Sequence, residues 1–224
     1  MKRNPLAYFL AIALLLSVSG LSAAKVEIPE VTADGLQHVR DSKLALVYAQ
    51  PGVDFGQYQR IYLADTYVAF KKNWQRSQNR SGSQRVSVSD MEKIKTEMAT
   101  LFRQVFTETL EESGYELVTE RAEDVLIIRP AIINLYIVAP DVSTGISHSY
   151  SESAGEMTLY LELSDSVSDD VIAKAYDRKL DRETGYFKWR NRGTNRAAAR
   201  RILKVWANVL KEGLDEARAI RQAR

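Results

Sequence analysis

The sequence of 224 residues contains no cysteine. This absence excludes a thiol nucleophile, a thiolate metal site and a lipid-modified cysteine. It also excludes disulfide bonds, on which many small exported proteins depend for stability. Histidine is scarce, with His38 and His148 alone, and both fall in segments that read as loops. We therefore expect no catalytic residue, metal site or cofactor in this chain.

Long hydrophobic runs are also lacking, except near the N-terminus. There, Lys2 and Arg3 precede the apolar run Leu6–Leu16, and the small residues Ser22-Ala23-Ala24 follow it. This pattern predicts a secretory signal peptide over residues 1–24, cleaved after Ala24. The run is shorter than the roughly 20 residues of a membrane span, although an uncleaved N-terminal anchor is the alternative. We expect a periplasmic protein with no lipid anchor and no transmembrane span in the mature chain.

A strong charge of either sign is missing as well. The chain has 31 basic and 29 acidic residues, and removing residues 1–24 removes only Lys2 and Arg3, which leaves 29 of each. This balance gives no reason to expect a nucleic-acid partner. Residues 25–40 contain Pro29, Gly35 and scattered charges without a period, which predicts an extended N-terminal arm. The length of the chain suits a single domain, over residues 41–224.

The clearest pattern in the chain lies between residues 156 and 182. Met157, Leu159, Leu161 and Leu163 alternate with polar residues, then a turn over Asp165–Asp170 leads into a second strand from Val171. The pattern predicts a hairpin with one apolar face. Apolar residues at odd and even positions of 125–138 predict a central strand, with a bulge or a change of partner at Pro130.

Two helices are predicted from apolar stripes at three- and four-residue steps. The first begins with a capping box of Ser89 and Glu92 and ends at Gly114. The second begins near Thr194 or Asn195 and carries the stripe Ala198, Ile202, Val205, Trp206, Val209 and Leu210. With further strands near residues 43–48, 61–70 and 116–119, these elements predict an α+β fold: a mixed, mainly antiparallel sheet of about five strands with both helices on one face.

Several stretches together resemble the bacterial family called domain of unknown function 3313. They are Asp34-Gly35-Leu36, Pro51-Gly52, Tyr58–Phe70, Tyr115–Val118, Ala122–Leu126, Glu162-Leu163-Ser164-Asp165-Ser166, Ala173–Arg178, Trp189, Trp206-Ala207 and Leu214-Asp215. The resemblance implies an exported cell-envelope protein of a Gram-negative bacterium. Many members look like lipoproteins with a cysteine after the signal sequence, from which this chain departs. The resemblance implies no catalytic residue.

The most informative charge run leads into the last helix. It contains no acidic residue and consists of Lys188, Arg190, Arg192, Arg196, Arg200, Arg201 and Lys204. A helix N-terminus normally attracts anions rather than cations, so cations at this position favour a bound anion that compensates them. A candidate contact for an anionic envelope component or a protein partner therefore consists of Trp189, Arg190, Arg192, Arg196 and Arg200. The alternative is that these cations are solvated or paired with carboxylates elsewhere. A second basic group, Lys71, Lys72, Arg76, Arg80 and Arg85, lies in a polar segment that reads as a solvated loop.

Two other patterns resemble sites but have simpler explanations. Asp165, Asp169 and Asp170 lack the spacing of a calcium loop and suit a hairpin turn, and the serines of 143–153 lack a nucleophile elbow. We therefore expect a non-enzymatic binding or assembly module. A hydrolase-type enzyme with an unrecognised site, or a structural accessory subunit of an envelope complex, is the alternative.

Overall fold

The chain forms a mixed β-sheet with two long helices against one face. The computed structural model describes residues 28–81, 85–137, 149–151, 155–180, 188–190 and 192–223, and for residues 81, 149–151, 188–190 and 192–194 the backbone element alone. Its strands are β1 (Gln37–His38), β2 (Leu46–Ala49), β3 (Arg60–Leu63), β4 (Tyr67–Phe70), β5 (Glu116–Leu117), β6 (Val125–Ile137), β7 (Ser149–Ser151), β8 (Gly155–Asp165), β9 (Val171–Leu180) and β10 (Lys188–Arg190). The helices are α1 (Trp74–Ser81), α2 (Val88–Glu111) and α3 (Arg192–Gln222), and a 3₁₀ turn spans Phe55–Gln57.

The main sheet has the order β1-β2-β9-β8-β6-β3-β5, and β4 also pairs with β6. The neighbouring strands β1, β2, β9, β8 and β6 pair antiparallel. On the other side of β6, β3 and β4 pair with it in parallel, and β5 pairs in parallel with β3. The predicted α+β class is confirmed, but the sheet has eight strands instead of about five. Residues 61–70 supply two strands instead of one, and β1, with two residues, is too short to show a period in the sequence. The described parts of β7 and β10 form a separate two-stranded sheet.

The hairpin of β8 and β9 has the predicted apolar face. Met157, Leu159, Leu161 and Leu163 are buried on the face that the helices cover. The turn is held by Asp165, whose Oδ1 accepts hydrogen bonds from the backbone N–H groups of Val167 and Ser168 at 2.9 and 2.8 Å. Asp169 completes the turn with φ of 64°, a conformation that aspartate tolerates better than most residues.

The central strand β6 changes its partner at Pro130, as one of the two sequence alternatives predicted. Along the edge of β6 that β3 and β4 share, β3 pairs as far as Ile128 and β4 begins opposite Ala131. The carbonyl of Ile128 faces β3, so the nitrogen of Pro130, two residues on, faces the gap between the two strands. The missing N–H therefore costs no ladder bond. The bulge lies elsewhere, between Ile133 and Tyr136, where Asn134 has φ of 52°.

Helix α2 begins two residues earlier than predicted. The capping box consists of Ser87 and Asp90, not Ser89 and Glu92, because aspartate can reach back to the N-cap backbone as glutamate does. Its buried stripe comprises Met98, Leu101, Phe102, Val105, Phe106, Thr109 and Leu110. As predicted, the helix is followed by Gly114 with φ of 77°.

Helix α3 begins two or three residues earlier than predicted and remains continuous through Gly213. Its buried side chains include Ala198, Ile202, Trp206 and Leu214, but the prediction for Val205 was wrong, because 46% of that residue is exposed. The 3₁₀ turn packs closely on the far end of this helix. A Cβ at Gly56 would lie 2.6 Å from the carbonyl oxygen of Ala217.

The segment 71–88, predicted as a solvated loop, contains helix α1. Trp74 at its start is 2% exposed, stacks on Phe70 with ring centroids 4.1 Å apart and donates a hydrogen bond to the carbonyl of Ile137 at 3.1 Å. On the other side, Asn79 exchanges hydrogen bonds with the backbone of Val86. The contacts of Trp74 and of the Asn79 side-chain amide therefore stabilise a helix whose polar composition shows no apolar stripe.

Candidate binding surface

The basic residues predicted as an anion contact are divided in the structure. The backbone of Trp189 and Arg190 lies in β10, and Arg192 is the first residue of α3, but their side chains lie outside what the structure describes. Arg196 and Arg200, both exposed, point to α2: Arg196 lies 3.4 Å from the Gln104 side-chain oxygen and Arg200 lies 2.6 Å from Glu108.

Lys204 continues this arrangement with a 3.1 Å ion pair to Glu112 and a 3.0 Å hydrogen bond to Thr109. Partners on both helices advance by four residues, so α2 and α3 run parallel with one ladder of polar contacts along their seam. The carboxylates of Glu108 and Glu112 thus pair with Arg200 and Lys204, whereas Arg196 meets a neutral amide. For Arg200 and Lys204 the geometry fits the alternative in which these cations are paired within the chain.

The face of the sheet opposite the helices carries a row of tyrosines. Successive strand pairings align Leu46, Tyr176, Tyr160, Ala131 and Tyr67 across β2, β9, β8, β6 and β4. We call these five residues the tyrosine row. Tyr67 is 65% and Tyr176 36% exposed, and Tyr160 is half-buried. Because neighbouring strands lie about 4.8 Å apart, the row spans about 19 Å of sheet.

Ion pairs lie on both sides of the tyrosine row. On one side, Lys174 pairs with Asp34, and this hydrogen bond lowers the pKa of Asp34 to about 2. On the same side, Arg129 donates to Ser164 and Asp169, both at 2.6 Å. Arg129 thereby lowers the pKa of the Asp169 carboxyl.

On the other side of the row, Glu156 accepts from Lys71 at 2.8 Å and pairs with Arg178. The pKa of Glu156 is lowered, first by the hydrogen bond from Lys71 and also by that from Arg178. The tyrosines are thus framed by carboxylates that remain ionised and by cations that are already paired.

Two tyrosines elsewhere have raised pKa values for a structural reason. Burial raises the pKa of Tyr58 to about 12, and its hydroxyl donates to Asp165 at 3.0 Å. Burial likewise raises the pKa of Tyr115 to about 12, and the guanidinium of Arg218 lies over its ring at 3.9 Å. Both phenols therefore stay protonated at neutral pH, and both lie in packing contacts.

The remaining candidate site residues either have a structural role or lie outside the residues that the structure describes. His38 lies in β1, with its ring 5.5 Å from that of Tyr48; His148 and most of the serines of 143–153 lie outside the described residues. Asp165 and Asp169 form the hairpin turn and its ion pairs. Within the described residues no group of three acidic or histidine side chains is placed to hold a metal ion, and none of the described helices is long and apolar enough to cross a membrane.

A family model described as "Protein of unknown function (DUF3313)" matches residues 31–210. The chain belongs to this family. The match confirms the resemblance seen in the hairpin and the last helix. No curated protein matches the sequence of this family member.

Several solved structures are similar to this chain at low identity. The PelC dodecamer from Paraburkholderia phytofirmans has 11% identity, 74% of this chain and 96% of that chain covered, and a TM-score of 0.39. A putative neuraminyllactose-binding hemagglutinin homolog from Helicobacter pylori has 13% identity, 73% and 94% coverage and a TM-score of 0.36. A DUF4136 family protein from Bacteroides thetaiotaomicron has 15% identity, 73% and 95% coverage and a TM-score of 0.35. None of these likenesses supports an argument about function.

Proposed function

We propose that this family member is an exported, non-enzymatic protein of the cell envelope that binds a protein partner through the tyrosine row. Support for export comes from the N-terminal pattern of Lys2 and Arg3, an apolar run and Ser22-Ala23-Ala24. The periplasm is the compartment that fits a cysteine-free chain with this leader. The exposed tyrosine row on the open sheet face carries the proposal of binding.

The row has the composition of a protein–protein contact. Tyrosine is enriched at such interfaces because its ring buries a large area while its hydroxyl keeps a hydrogen-bond partner. The centre here is aromatic and aliphatic, whereas Lys174, Arg129 and Glu156 surround it. An apolar centre with a polar rim is the usual anatomy of an interface.

The charges beside the row support binding rather than catalysis. A general acid or base works best with a pKa near the operating pH, commonly reached by raising that of a carboxylate. The pKa values of Asp34, Glu156 and Asp169 are lowered instead, by hydrogen bonds from Lys174, Lys71 and Arg129. These carboxylates therefore serve as fixed charges that orient a partner.

Site-specific photo-crosslinking in cells tests the proposal. A benzophenone amino acid at position 160 is expected to form a discrete crosslink to a protein in the periplasmic or membrane fraction. The matched control carries the same probe at Val205, which is exposed on the helical side, and is expected to lack that product.

A second set of variants connects the crosslink to the row. Tyr67→Ser with Tyr176→Ser removes two exposed rings and should leave the fold intact, while weakening the crosslink at position 160 by about tenfold or more. Equal crosslinking from positions 160 and 205, or an unchanged product in the double variant, would contradict binding through this row. Recovery of the protein in the cytoplasm would contradict export.

A further inference from the structure

The segment around α1 is basic and lacks any compensating acid of its own. From Thr66 to Ser89 the sequence contains no aspartate or glutamate, but it contains Lys71, Lys72, Arg76, Arg80 and Arg85. Lys71 reaches Glu156 on the sheet. The local field of this segment is therefore positive even though the mature chain as a whole is near neutral.

The other four cations differ from those of α3. Lys72, Arg76, Arg80 and Arg85 are exposed, and none makes an ion pair or side-chain hydrogen bond to another described residue. We call these four residues the α1 basic patch. On α3, by contrast, Arg200 and Lys204 are held by carboxylates of α2. The cations without an ion pair among the described residues thus include four on and beside α1, a segment that the sequence alone presents as a solvated loop.

Buried side chains and hydrogen bonds hold α1 and the segment after it in place. Arg76 and Arg80 lie one turn apart on α1, whose first residue, Trp74, is buried against Phe70. Arg85 follows on the segment that Gln75 and Asn79 hold through the backbone of Val86. Val88, three residues further on, is 67% exposed, so the basic surface borders an exposed apolar side chain.

We propose that the α1 basic patch docks the protein on an anionic phospholipid surface. No described residue holds the four side chains in a fork, so they attract negative charge without selecting one bound geometry. Such unfixed cations suit the diffuse potential of a lipid surface, to which each lysine or arginine contributes about fivefold in affinity. The exposed Val88 adds an apolar contact at the headgroup level.

This docking is independent of the tyrosine row. The patch lies on α1 and the residues that flank it, whereas the row crosses the face of the sheet opposite α2 and α3. A protein that lost one surface would therefore retain the other. The Tyr67→Ser/Tyr176→Ser variant should bind lipid as the wild type does, so failure of the proposed function and failure of this inference are distinguishable.

Vesicle co-sedimentation of the purified protein tests the proposal. The vesicles contain equal amounts of phosphatidylglycerol and phosphatidylcholine, or phosphatidylcholine alone, and all variants keep the same N-terminal segment. Arg76→Gln with Arg80→Gln should weaken binding to the anionic vesicles about 25-fold, fivefold for each cation. Added salt should weaken the wild type in the same direction.

The control is Arg40→Gln with Arg103→Gln, which removes the same charge from two exposed residues that pair with Glu30 and Asp65. It should change lipid binding less than threefold. An equal loss in both double variants, or equal binding of the wild type to the two kinds of vesicle, would overturn the proposal. So would tight, salt-sensitive binding to an oligonucleotide without binding to the anionic vesicles.

Discussion

Trp206 in α3 donates a hydrogen bond of 2.7 Å from its indole nitrogen to Oδ2 of Asp177 in β9, and both residues are buried. The other oxygen of Asp177 accepts from the backbone N–H of Ala45 at 3.0 Å, and Lys179 lies 2.9 Å away. One buried carboxylate therefore joins the last helix, the hairpin and the segment before β2. A buried charge requires such partners, since an unpaired one is costly.

We expect Trp206→Phe to destabilise the protein beyond the loss of ring area. Phenylalanine keeps most of the apolar packing but removes the indole N–H, which leaves Asp177 with one partner fewer. The expected loss is about 1–3 kcal/mol in the free energy of unfolding, measured by urea titration. The exposed neighbour Val205→Ser should change it by less than about 0.5 kcal/mol. Similar effects of the two variants would show that the hydrogen bond contributes little.

Replacing Gly56 or Gly213 with alanine should change the stability of the protein in opposite directions. Gly56→Ala places a Cβ 2.6 Å from the carbonyl oxygen of Ala217, so the 3₁₀ turn must move away from α3; we expect a loss of about 1–3 kcal/mol. Gly213 lies within α3, and its Cβ would meet nothing within 4 Å. Gly213→Ala should therefore stabilise the helix by about 0.5–1 kcal/mol. Thermal unfolding of both variants gives the sign directly, and equal shifts would contradict this packing.

The parts of the fold that the sequence predicts are those with a long, regular apolar pattern. Leu159 and Leu161 alternate with polar residues within an eleven-residue strand. The alternation alone therefore predicts that the leucines lie on the buried face of the sheet. The stripe of α2 is equally regular. The prediction for Val205 was wrong because an apolar stripe defines the centre of a buried helix face better than its margin.

The candidate surfaces depend on information that no local pattern contains. Tyr67, Tyr160 and Tyr176 form one row only after β4, β8 and β9 take their registers around β6. The polar alternation of β8 places Tyr160 on the outer face, but the sequence does not identify its neighbours. In the same way, the sequence does not distinguish Arg76 and Arg80 of α1, which have no ion pair among the described residues, from Arg200 and Lys204 of α3, which pair with carboxylates of α2.

Acid should weaken the contact between the N-terminal segment and the hairpin. The hydrogen bond from Lys174 lowers the pKa of Asp34 from 3.8 to about 2, so its contribution is present above pH 4 and is lost as the pH falls towards 2. Asp34→Asn should flatten the fall in stability over this window, as measured by urea midpoints. Asp41→Asn, at an exposed carboxylate with no ion pair among the described residues, is the control and should leave the slope unchanged. A slope unaffected by Asp34→Asn would show that another group controls this range.

The ladder between α2 and α3 predicts a small coupling between Arg200 and Glu108. Their ion pair is 2.6 Å long, and each side chain is more than two-fifths exposed, so a double-mutant cycle of Arg200→Ala and Glu108→Ala should give about 0.2–1 kcal/mol. Added salt should reduce that coupling because both charges contact solvent. If the coupling is instead zero, and Arg200→Ala weakens binding to anionic ligands while Glu108→Ala strengthens it, then Arg200 serves an external anion, as the basic run into α3 first suggested. The cycle and the binding measurement together decide between a cation that stabilises the helix pair and one that contacts a partner.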